Sequence, residues 1–319
     1  MARHALIGDV GGTNARFALV APGAVQPEAI RALPCADFAG ITDAVHAYLG
    51  DVDADQPHEA CLAFACPVHD DAIRMTNNHW RFSRRAVQAE LGLQRFKVIN
   101  DFTAQALGVP HVAADQLVPI GGGEADPASA RLVIGPGTGL GMAGVVPGRR
   151  NWIPLTTEGG HVAFAPTDAY ETEVLRAFRS RYGRVSVERI LCGQGLLELY
   201  RTHTQINGLT PDYTAPAEVT AGADAGDPVA SAVVDRFLKI LGDVCGDAAL
   251  ALGARGGVYL GGGIVPRLLD RLPGSGFRAA FTDKGRMSDY TAGIPTLVVT
   301  AEWTGLLGAA EALHNEEVA

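Results

Sequence analysis

The sequence predicts an α/β protein of two lobes with a cleft between them, on three observations. The chain has 319 residues, more than a single hydrophobic core usually serves, so two compact parts are expected. Residues 5–20 and 131–146 repeat one pattern, in which a turn of glycine and threonine joins two apolar strands. A third glycine turn, within residues 256–272, joins a strand to an amphipathic helical pattern. The repeated hairpin indicates two related lobes.

The first glycine hairpin reads ALIGDVGGTNARFALV, with Asp9 at the mouth of its turn. Glycine runs that bind phosphate usually precede a helix, because the N–H groups of the first helical turn point at the anion. Here residues 16–20 follow, and their apolar pattern predicts a strand. We therefore predict a hairpin with a glycine-rich tip. The alternative for any one of the three glycine clusters is a tight turn that needs positive φ.

The second hairpin, RLVIGPGTGLGMAGVV, contains a literal match to a dinucleotide-binding fingerprint. The match falls on Gly139, Gly141 and Gly144, but Val-Val-Pro follows where the fingerprint requires the start of a helix. We therefore reject a dinucleotide site. The chain also lacks the G-x-x-x-x-G-K-[ST] sequence, so a phosphate loop that carries a lysine is not expected.

A long buried helix is predicted within residues 225–253, immediately before the third glycine turn. Asp227 has the side chain of an N-cap, and Pro228 stands at the first helical position, where its missing N–H costs nothing. The apolar residues that follow recur at helical spacing.

The charge balance and the termini exclude several classes of function. Against 35 acidic residues the chain has 26 basic ones, a net charge of −9, and no segment concentrates lysine or arginine. A nucleic-acid partner is therefore not expected. No apolar stretch reaches the length of a membrane span, and the first four residues leave no room for a signal peptide. These features predict a cytoplasmic protein without membrane contact.

Five cysteines are scattered through mostly apolar surroundings and lack the close paired spacing of a zinc site. We interpret them as reduced, buried thiols, and CLAFACPV, which contains two of them, as a core strand. The five are Cys35, Cys61, Cys66, Cys192 and Cys245.

Two further segments carry polar residues suited to a binding site. Residues 96–108 form an apolar strand that ends in Asn100 and Asp101 and continues as a helical pattern, which places both side chains at a rim where α/β sheets bind ligands. The alternative is a helix N-cap, a role both residue types favour. Residues 154–164 place Glu158 and His161 on either side of two glycines. The alternative for His161 is a packed histidine.

The ordered motifs GDVGGTNARFAL, MTNNHW, VINDFTA, GTGLG, EGGHV, SVERIL, GGGIVPRLL, SGFRAAFTDKGR and GLLGAA run nearly from end to end of the chain. Together they resemble the bacterial glucokinase family, of the ATP-dependent type. This resemblance implies the two-lobed actin-like ATPase and hexokinase fold, which is ribonuclease H-like. It implies a small α/β lobe of residues 1–110 plus 301–319, closed by a C-terminal helix, and a large α/β lobe of residues 111–300.

The resemblance also implies the site residues. Asp101 would be the catalytic base. The sugar-binding residues would be Asn100, Asp101, Glu158, His161 and Glu188. The nucleotide would be bound by the two hairpins and the third glycine turn, at Gly8, Asp9, Val10, Gly11, Gly12, Thr13, Gly137, Thr138, Gly139, Gly262 and Gly263. Asp9 would hold Mg²⁺ through water.

The implied activity is transfer of the γ-phosphoryl group of ATP to the 6-hydroxyl of glucose, with Mg²⁺, at the first step of glycolysis. Glucose and ATP are thus the expected partners, and a homodimer is the assembly implied by the family. Three alternatives stay open: a kinase for a related hexose, an enzyme that uses polyphosphate as donor, and a catalytically silent sugar-sensing regulator. No residues precede the first strand that could form a DNA-reading domain, which weighs against the regulator.

The chain departs from the family pattern at a few positions. The departures are Pro136, Cys192 and Gln194 within matching motifs, and Trp303 and Thr304 near the C-terminus. None of them removes a group assigned above. Related sugar kinases with a structural zinc carry a cysteine-rich motif where this chain has GHVAFAPTDAYE. The sequence therefore resembles the zinc-free branch.

Overall fold

The structure, a computed structural model, describes residues 4–318. Its strands are β1 Ala5–Val10, β2 Asn14–Val20, β3 Glu28–Pro34, β4 Glu59–Phe64, β5 Ala72–Arg74, β6 Arg81–Ser83, β7 Arg95–Asn100, β8 Leu117–Gly121, β9 Arg131–Pro136, β10 Leu140–Pro147, β11 Trp152–Thr156, β12 Val258–Leu260 and β13 Thr296–Val299. Its α-helices are α1 Ile41–Asp51, α2 Arg84–Glu90, α3 Asp101–Gly108, α4 Ala169–Tyr182, α5 Gly193–Ile206, α6 Pro216–Asp224, α7 Pro228–Leu252, α8 Phe277–Thr282, α9 Ser288–Ala292 and α10 Thr304–His314. No helix within residues 4–318 is long and apolar enough to cross a membrane.

The described chain divides into two compact units. The first contains residues 4–116, 143–156 and 301–318, and the second contains residues 117–142 and 157–300. The sequence-based division lacked residues 111–116 and 143–156 in the first unit. Residues 143–156 cluster there because β11 packs on α3, where the hydroxyls of Thr103 and Thr156 lie 3.0 Å apart. Asn315 also donates from Nδ2 to the carbonyl oxygen of Trp152 at 2.6 Å.

The first unit is built on a five-stranded sheet in the order β3-β2-β1-β4-β7. β1 pairs antiparallel with β2 and parallel with β4, and β4 pairs parallel with β7. Helices α3 and α10 pack closely against each other because glycines face the contact. A Cβ atom at Gly308 would collide with the carbonyl oxygen of Ala104, and one at Gly108 with that of Thr304. This packing fixes α3, whose first residue is Asp101.

The second unit contains a sheet in which β9, β12, β13 and β8 are neighbours in that order. β12 pairs parallel with both β9 and β13, and β8 pairs antiparallel with β13. The predicted long helix is confirmed as α7, with Pro228 first and Asp227 accepting from the N–H groups of Val229 and Ala230. Side chains of α7 such as Phe237 and Leu241 are fully buried in the core of this unit.

The helix predicted after the third glycine turn is wrong. Residues 265–268 and 272–274 form two short 3-10 turns instead. Pro266 lies in the first turn, where proline is tolerated, but Pro273 lacks a backbone N–H and its ring would clash with the carbonyl oxygen of Leu269 in a regular helix.

A buried ionic cluster lies at the start of α4. The side chain of Glu171 is fully buried, and its Oε1 accepts from Nζ of Lys239 at 2.7 Å and from Nη1 of Arg236 at 2.8 Å. Its Oε2 accepts from the backbone N–H of Thr167 at 2.9 Å. Every oxygen of this carboxylate is therefore paired, as burial of a charge requires.

This cluster makes a prediction about acid stability. Burial alone would raise the pKa of Glu171, but hydrogen bonds from Lys239, Thr167 and Arg236 outweigh burial and hold the pKa below its ordinary 4.5. The ionised carboxylate therefore stabilises the fold at neutral pH, and this stabilisation is lost as the pH falls through the lowered pKa. We expect urea unfolding of Glu171→Gln to show a weaker decline of stability below about pH 4.5 than the unsubstituted chain.

A matched control for the acid-stability measurement is Glu173→Gln, two residues along the same helix. Glu173 is exposed and, among the residues that the structure describes, pairs only with Arg176, a type of surface pair that contributes about 0–1 kcal/mol. The control should follow the unsubstituted chain at every pH. Parallel pH curves for Glu171→Gln and the control would contradict the prediction.

Candidate active site

The tip of the first glycine hairpin lies between β1 and β2, and its carbonyl oxygens are tied to neighbouring segments. The carbonyl oxygen of Gly11 accepts from Nδ2 of Asn78 at 3.2 Å, and that of Thr13 accepts from the N–H of Cys35 at 2.8 Å. Among residues 4–318, no protein group accepts from the N–H of Gly12 or of Thr13. The tip therefore offers backbone donors that an anion can use.

Glycine is required at two positions of this hairpin for different reasons. A Cβ atom at Gly12 would lie 2.7 Å from the Cβ atom of Asn77, so only glycine fits at the tip. A Cβ atom at Gly8 would lie 2.7 Å from Cδ2 of Leu62, inside the sheet. Val10 is likewise fully buried. Of the residues expected to bind nucleotide, Gly8 and Val10 could thus contribute only through their backbone.

Asp9 is mostly buried on β1. Its Oδ2 lies 3.7 Å from Nη1 of Arg16. Burial raises the pKa of Asp9 above its ordinary range, and the charge of Arg16 only partly offsets this. A Cβ atom at Gly305 would lie 3.0 Å from the same Oδ2, so the first turn of α10 approaches the carboxylate. Trp303 precedes that turn as N-cap without a capping hydrogen bond.

Asn100 and Asp101 lie at the junction of β7 and α3, as the sequence predicts. Oδ1 of Asn100 caps the helix by accepting from the N–H groups of Phe102 at 2.9 Å and Thr103 at 3.3 Å. Its Nδ2 lies 3.4 Å from the carbonyl oxygen of Cys66. Oδ1 of Asp101 accepts from the N–H of Phe102 at 2.9 Å. The capping alternative for Asn100 is thus realised, and it holds Asp101 at the end of the strand.

The second glycine hairpin and the third glycine turn lie side by side in the second unit. The N–H of Ile264 donates to the carbonyl oxygen of Pro136 at 3.2 Å. Gly262 has φ of +76°, and a Cβ atom there would lie 2.5 Å from that same oxygen. A Cβ atom at Gly137 meets only the N of Gly263, at 3.9 Å. The surface around Gly137 is therefore open, whereas Gly262 is fixed by packing.

The structure brings Glu158, His161 and Glu188 together within the second unit. Nδ1 of His161 lies 3.7 Å from Oε1 of Glu188, and its Nε2 lies 3.9 Å from Oε2 of Glu158. Oε2 of Glu188 accepts from the N–H of Leu140 at 2.9 Å. A Cβ atom at Gly139 would lie 2.5 Å from that oxygen. Glu188 therefore links the group formed by Glu158, His161 and itself to the second hairpin. The side chain of His161 is exposed and is not packed in a core.

Two hydrogen bonds beside these three residues could not be predicted from the sequence. Nη2 of Arg184 donates to the carbonyl oxygen of His161 at 2.8 Å. The N–H of Val187 donates to the carbonyl oxygen of Val162 at 3.0 Å. The segment that carries Glu188 is thus fastened to the segment that carries His161. No pattern in the sequence indicates this pairing, because the two segments are more than 20 residues apart.

The five cysteines are buried free thiols, as expected. Three of them lie beside the candidate site residues. Cys66 adjoins Asp101, and burial and the charge of Asp101 raise the pKa of its thiol to about 11. Cys192 caps α5 by accepting from the N–H of Gly195, and Cys35 packs under the first hairpin. These thiols therefore stay protonated at neutral pH.

Known proteins match this chain over nearly its whole length. The family model described as Glucokinase matches residues 6–316. A glucokinase from Chromohalobacter salexigens is 68% identical over 318 residues, covering 100% of both chains. The crystal structure of a glucokinase from an Antarctic psychrotroph superposes with a TM-score of 0.90 at 37% identity, covering 99% of this chain and 100% of that one.

A more distant structure shares the fold. A ROK-family glucokinase from Streptomyces griseus, solved in complex with glucose and AMPPNP, gives a TM-score of 0.65 at 18% identity over 97% of this chain and 99% of that one. The predicted α/β fold of the hexokinase and actin-like ATPase type is confirmed by these neighbours together with the two α/β units. On the family model and the full-length relatives, this chain belongs to the glucokinase family.

Proposed function

We propose how the residues of this chain carry out the glucokinase reaction. The chain is an ATP-dependent kinase that phosphorylates glucose, as its full-length relatives and its family indicate. The single observation that carries the site assignment is the position of Glu188. Its carboxylate holds the backbone of the second hairpin at Leu140 and lies beside His161. Glu188 therefore connects the hairpin that would bind phosphate to His161, which would bind the sugar.

The two hairpin tips would bind the phosphates of ATP. Phosphoryl transfer asks a protein mainly to position the reactants and to stabilise charge on the transferred group. Gly12 and Thr13 present N–H groups that no described residue uses, and Gly137 has free space beside its Cα. Backbone N–H groups can bind phosphate without a lysine. The neighbouring turn at Gly262 and Gly263 would lie beside the adenosine.

Asp9 would hold Mg²⁺, and its chemistry fits that role. Mg²⁺ is bound in such sites by one or two carboxylates, by water and by the phosphates of the substrate. Asp9 is a mostly buried carboxylate whose pKa is raised by burial, which the charge of Arg16 only partly offsets, so a cation nearby would stabilise its ionised form. When bound, the metal would offset phosphate charge. We assign the contact to water between Asp9 and the ion.

Asp101 would accept the proton of the attacking 6-hydroxyl. One of its oxygens is occupied by the N–H of Phe102, which orients the carboxylate. A positioned carboxylate of this kind is suited to general-base catalysis. Asn100 would donate to the sugar as well as cap α3. In the second unit Glu158, Glu188 and His161 would bind further hydroxyls, because sugar hydroxyls both donate and accept.

A panel of sugars assayed with ATP and Mg²⁺ tests the proposed function. Glucose should be phosphorylated at its 6-hydroxyl, with ADP released in equal amount. Faster turnover of another hexose, or turnover with polyphosphate in place of ATP, would favour the related kinases. Glucose binding without ADP release would indicate a sensing regulator.

We also propose a homodimer, from family resemblance alone, and light scattering measures the assembly directly.

The sugar role of Glu188 makes a separate prediction. Glu188→Gln retains an oxygen that can accept from Leu140 but loses the charge beside His161. A hydrogen bond to a charged group contributes about 1.5–3 kcal/mol, so we expect the KM for glucose to rise about tenfold or more while the KM for ATP changes little. Steady-state kinetics measure both. Glu173→Gln on the exposed face of α4 is the control, and equal kinetics in the two variants would return Glu188 to a purely structural role.

A further inference from the structure

We propose that Asn78 positions the first hairpin for the phosphates of ATP by holding the carbonyl oxygen of Gly11. Asn78 belongs to the MTNNHW motif, to which the site assignment gives no role. The inference rests on the proposed function, in which this hairpin binds phosphate. Asn78 would be a positioning residue, because it acts through the backbone of the tip.

Two side-chain donors converge on one backbone oxygen beneath the tip. Nδ2 of Asn78 lies 3.2 Å from the carbonyl oxygen of Gly11. Sγ of Cys35 lies 3.7 Å from the same oxygen. Cys35 is buried, and burial raises the pKa of its thiol, so the thiol stays protonated and able to donate. The N–H of Cys35 also donates to the carbonyl oxygen of Thr13 at 2.8 Å.

The orientation of the Asn78 amide is determined by its other bond. Its Oδ1 accepts from the N–H of Trp80 at 2.9 Å. This leaves Nδ2 to face Gly11, since the amide oxygen must meet a donor. Trp80 is itself buried, and its Nε1 donates to the carbonyl oxygen of Phe38 at 3.2 Å. The buried Trp80 therefore fixes the position of the Asn78 side chain.

Holding the oxygen of Gly11 also aims the N–H of Gly12. The carbonyl of one residue and the N–H of the next share a planar trans peptide and point in opposite directions. With the Gly11 oxygen drawn towards Asn78 and Cys35, the Gly12 N–H points away from them, and no described residue accepts from it. If the tie were lost, this glycine peptide could rotate and present its oxygen to the phosphates instead. That rotation would replace an attractive contact with a repulsive one.

The test compares Asn78→Asp with Asn78→Ala in the full chain. Aspartate keeps the acceptor for Trp80 but loses the donor to Gly11, and alanine loses both. In each variant we expect kcat/KM for ATP to fall about tenfold, as for loss of one buried hydrogen bond, with the KM for glucose within about twofold of the unsubstituted enzyme. Calorimetric titration with Mg²⁺ and AMPPNP should show a matching loss of affinity. Thr76→Ala, an exposed site in the same segment, is the control.

A double variant tests the shared oxygen. Because Asn78 and Cys35 both donate to the Gly11 carbonyl, Asn78→Ala combined with Cys35→Ala should lose more ATP affinity than Asn78→Ala alone. Unchanged AMPPNP affinity in folded Asn78 variants, or KM values for ATP and glucose that rise together, would overturn the inference. Either of these results counts against the role of Asn78 only if the unsubstituted enzyme phosphorylates glucose. Absence of glucose phosphorylation by that form would instead refute the proposed function.

Discussion

Replacement of Asp101 by asparagine is expected to lower kcat for glucose phosphorylation by about 10²-fold or more, the usual effect of losing a general base. Asparagine retains the shape of the side chain and an oxygen that can accept from the N–H of Phe102. The variant should therefore bind glucose with little change, and the loss should fall on kcat. Coupled detection of ADP over a range of glucose concentrations separates the two parameters.

The control for this substitution is Asp43→Asn. Asp43 stands in the first turn of α1, as Asp101 stands in the first turn of α3. Both substitutions remove a negative charge from a helix N-terminus, which costs about 0.3–1 kcal/mol of stability. Only Asp101→Asn should affect turnover. Weaker glucose binding with kcat preserved would mean that Asp101 binds the sugar but does not act as the base.

Features determined by neighbouring residues could be predicted from the sequence. α7 begins at Pro228 with Asp227 as its cap because both residue types act on the first turn directly. The two glycine hairpins appear as β1–β2 and β9–β10 because the apolar runs and the turn residues are local signals. The β7–α3 junction at Asn100 follows from the same kind of information.

Features determined by distant contacts could not be predicted in this way. β11 belongs to the first unit because Thr156 meets Thr103 and Trp152 meets Asn315, pairs separated by 53 and 163 residues. The segment after the third glycine turn has a helical pattern of apolar residues, but it forms only short 3-10 turns, because Pro273 cannot continue a helix that begins near Val265.

The candidate site shows the same limit. Family motifs identified Glu158, His161 and Glu188, and the structure places the three side chains near one another. The residues that hold the site came only from the structure. Arg184 fastens the backbone of His161, and Asn78 fastens that of Gly11. Such contacts join side chains to backbone carbonyls, which carry no signature in the sequence.

The glycines of the second hairpin and its neighbouring turn serve different purposes. Gly139 leaves room for Glu188, because a Cβ atom there would lie 2.5 Å from Oε2. Gly262 lies against the carbonyl oxygen of Pro136 and has positive φ. Gly137 has neither constraint, since its Cβ direction is open and its φ is not in the left-handed region. Packing of the protein itself therefore does not account for glycine at position 137.

Gly137→Val should consequently leave the fold intact and damage the use of ATP. If the tip approaches phosphate through bare backbone, a valine side chain would occupy the space of the ligand and keep the phosphate away from the backbone donors of the tip, and loss of one such donor costs about 10²–10³ in rate. We expect kcat/KM for ATP to fall by about 10²-fold, with the melting temperature unchanged and glucose binding still measurable. Kinetics, thermal unfolding and glucose titration give the three quantities.

Two further glycine variants make the result specific. Gly139→Ala should weaken glucose binding, because the new methyl group displaces Glu188 from its position beside Leu140 and His161. Gly274→Val adds the same bulk as Gly137→Val at a site with nothing within 4 Å of the new Cβ atom, and it should change neither substrate. Normal ATP kinetics in folded Gly137→Val would show that no phosphate comes near this tip. The second hairpin would then be a tight turn that supports Glu188, and the phosphate contacts would have to come from the first hairpin alone.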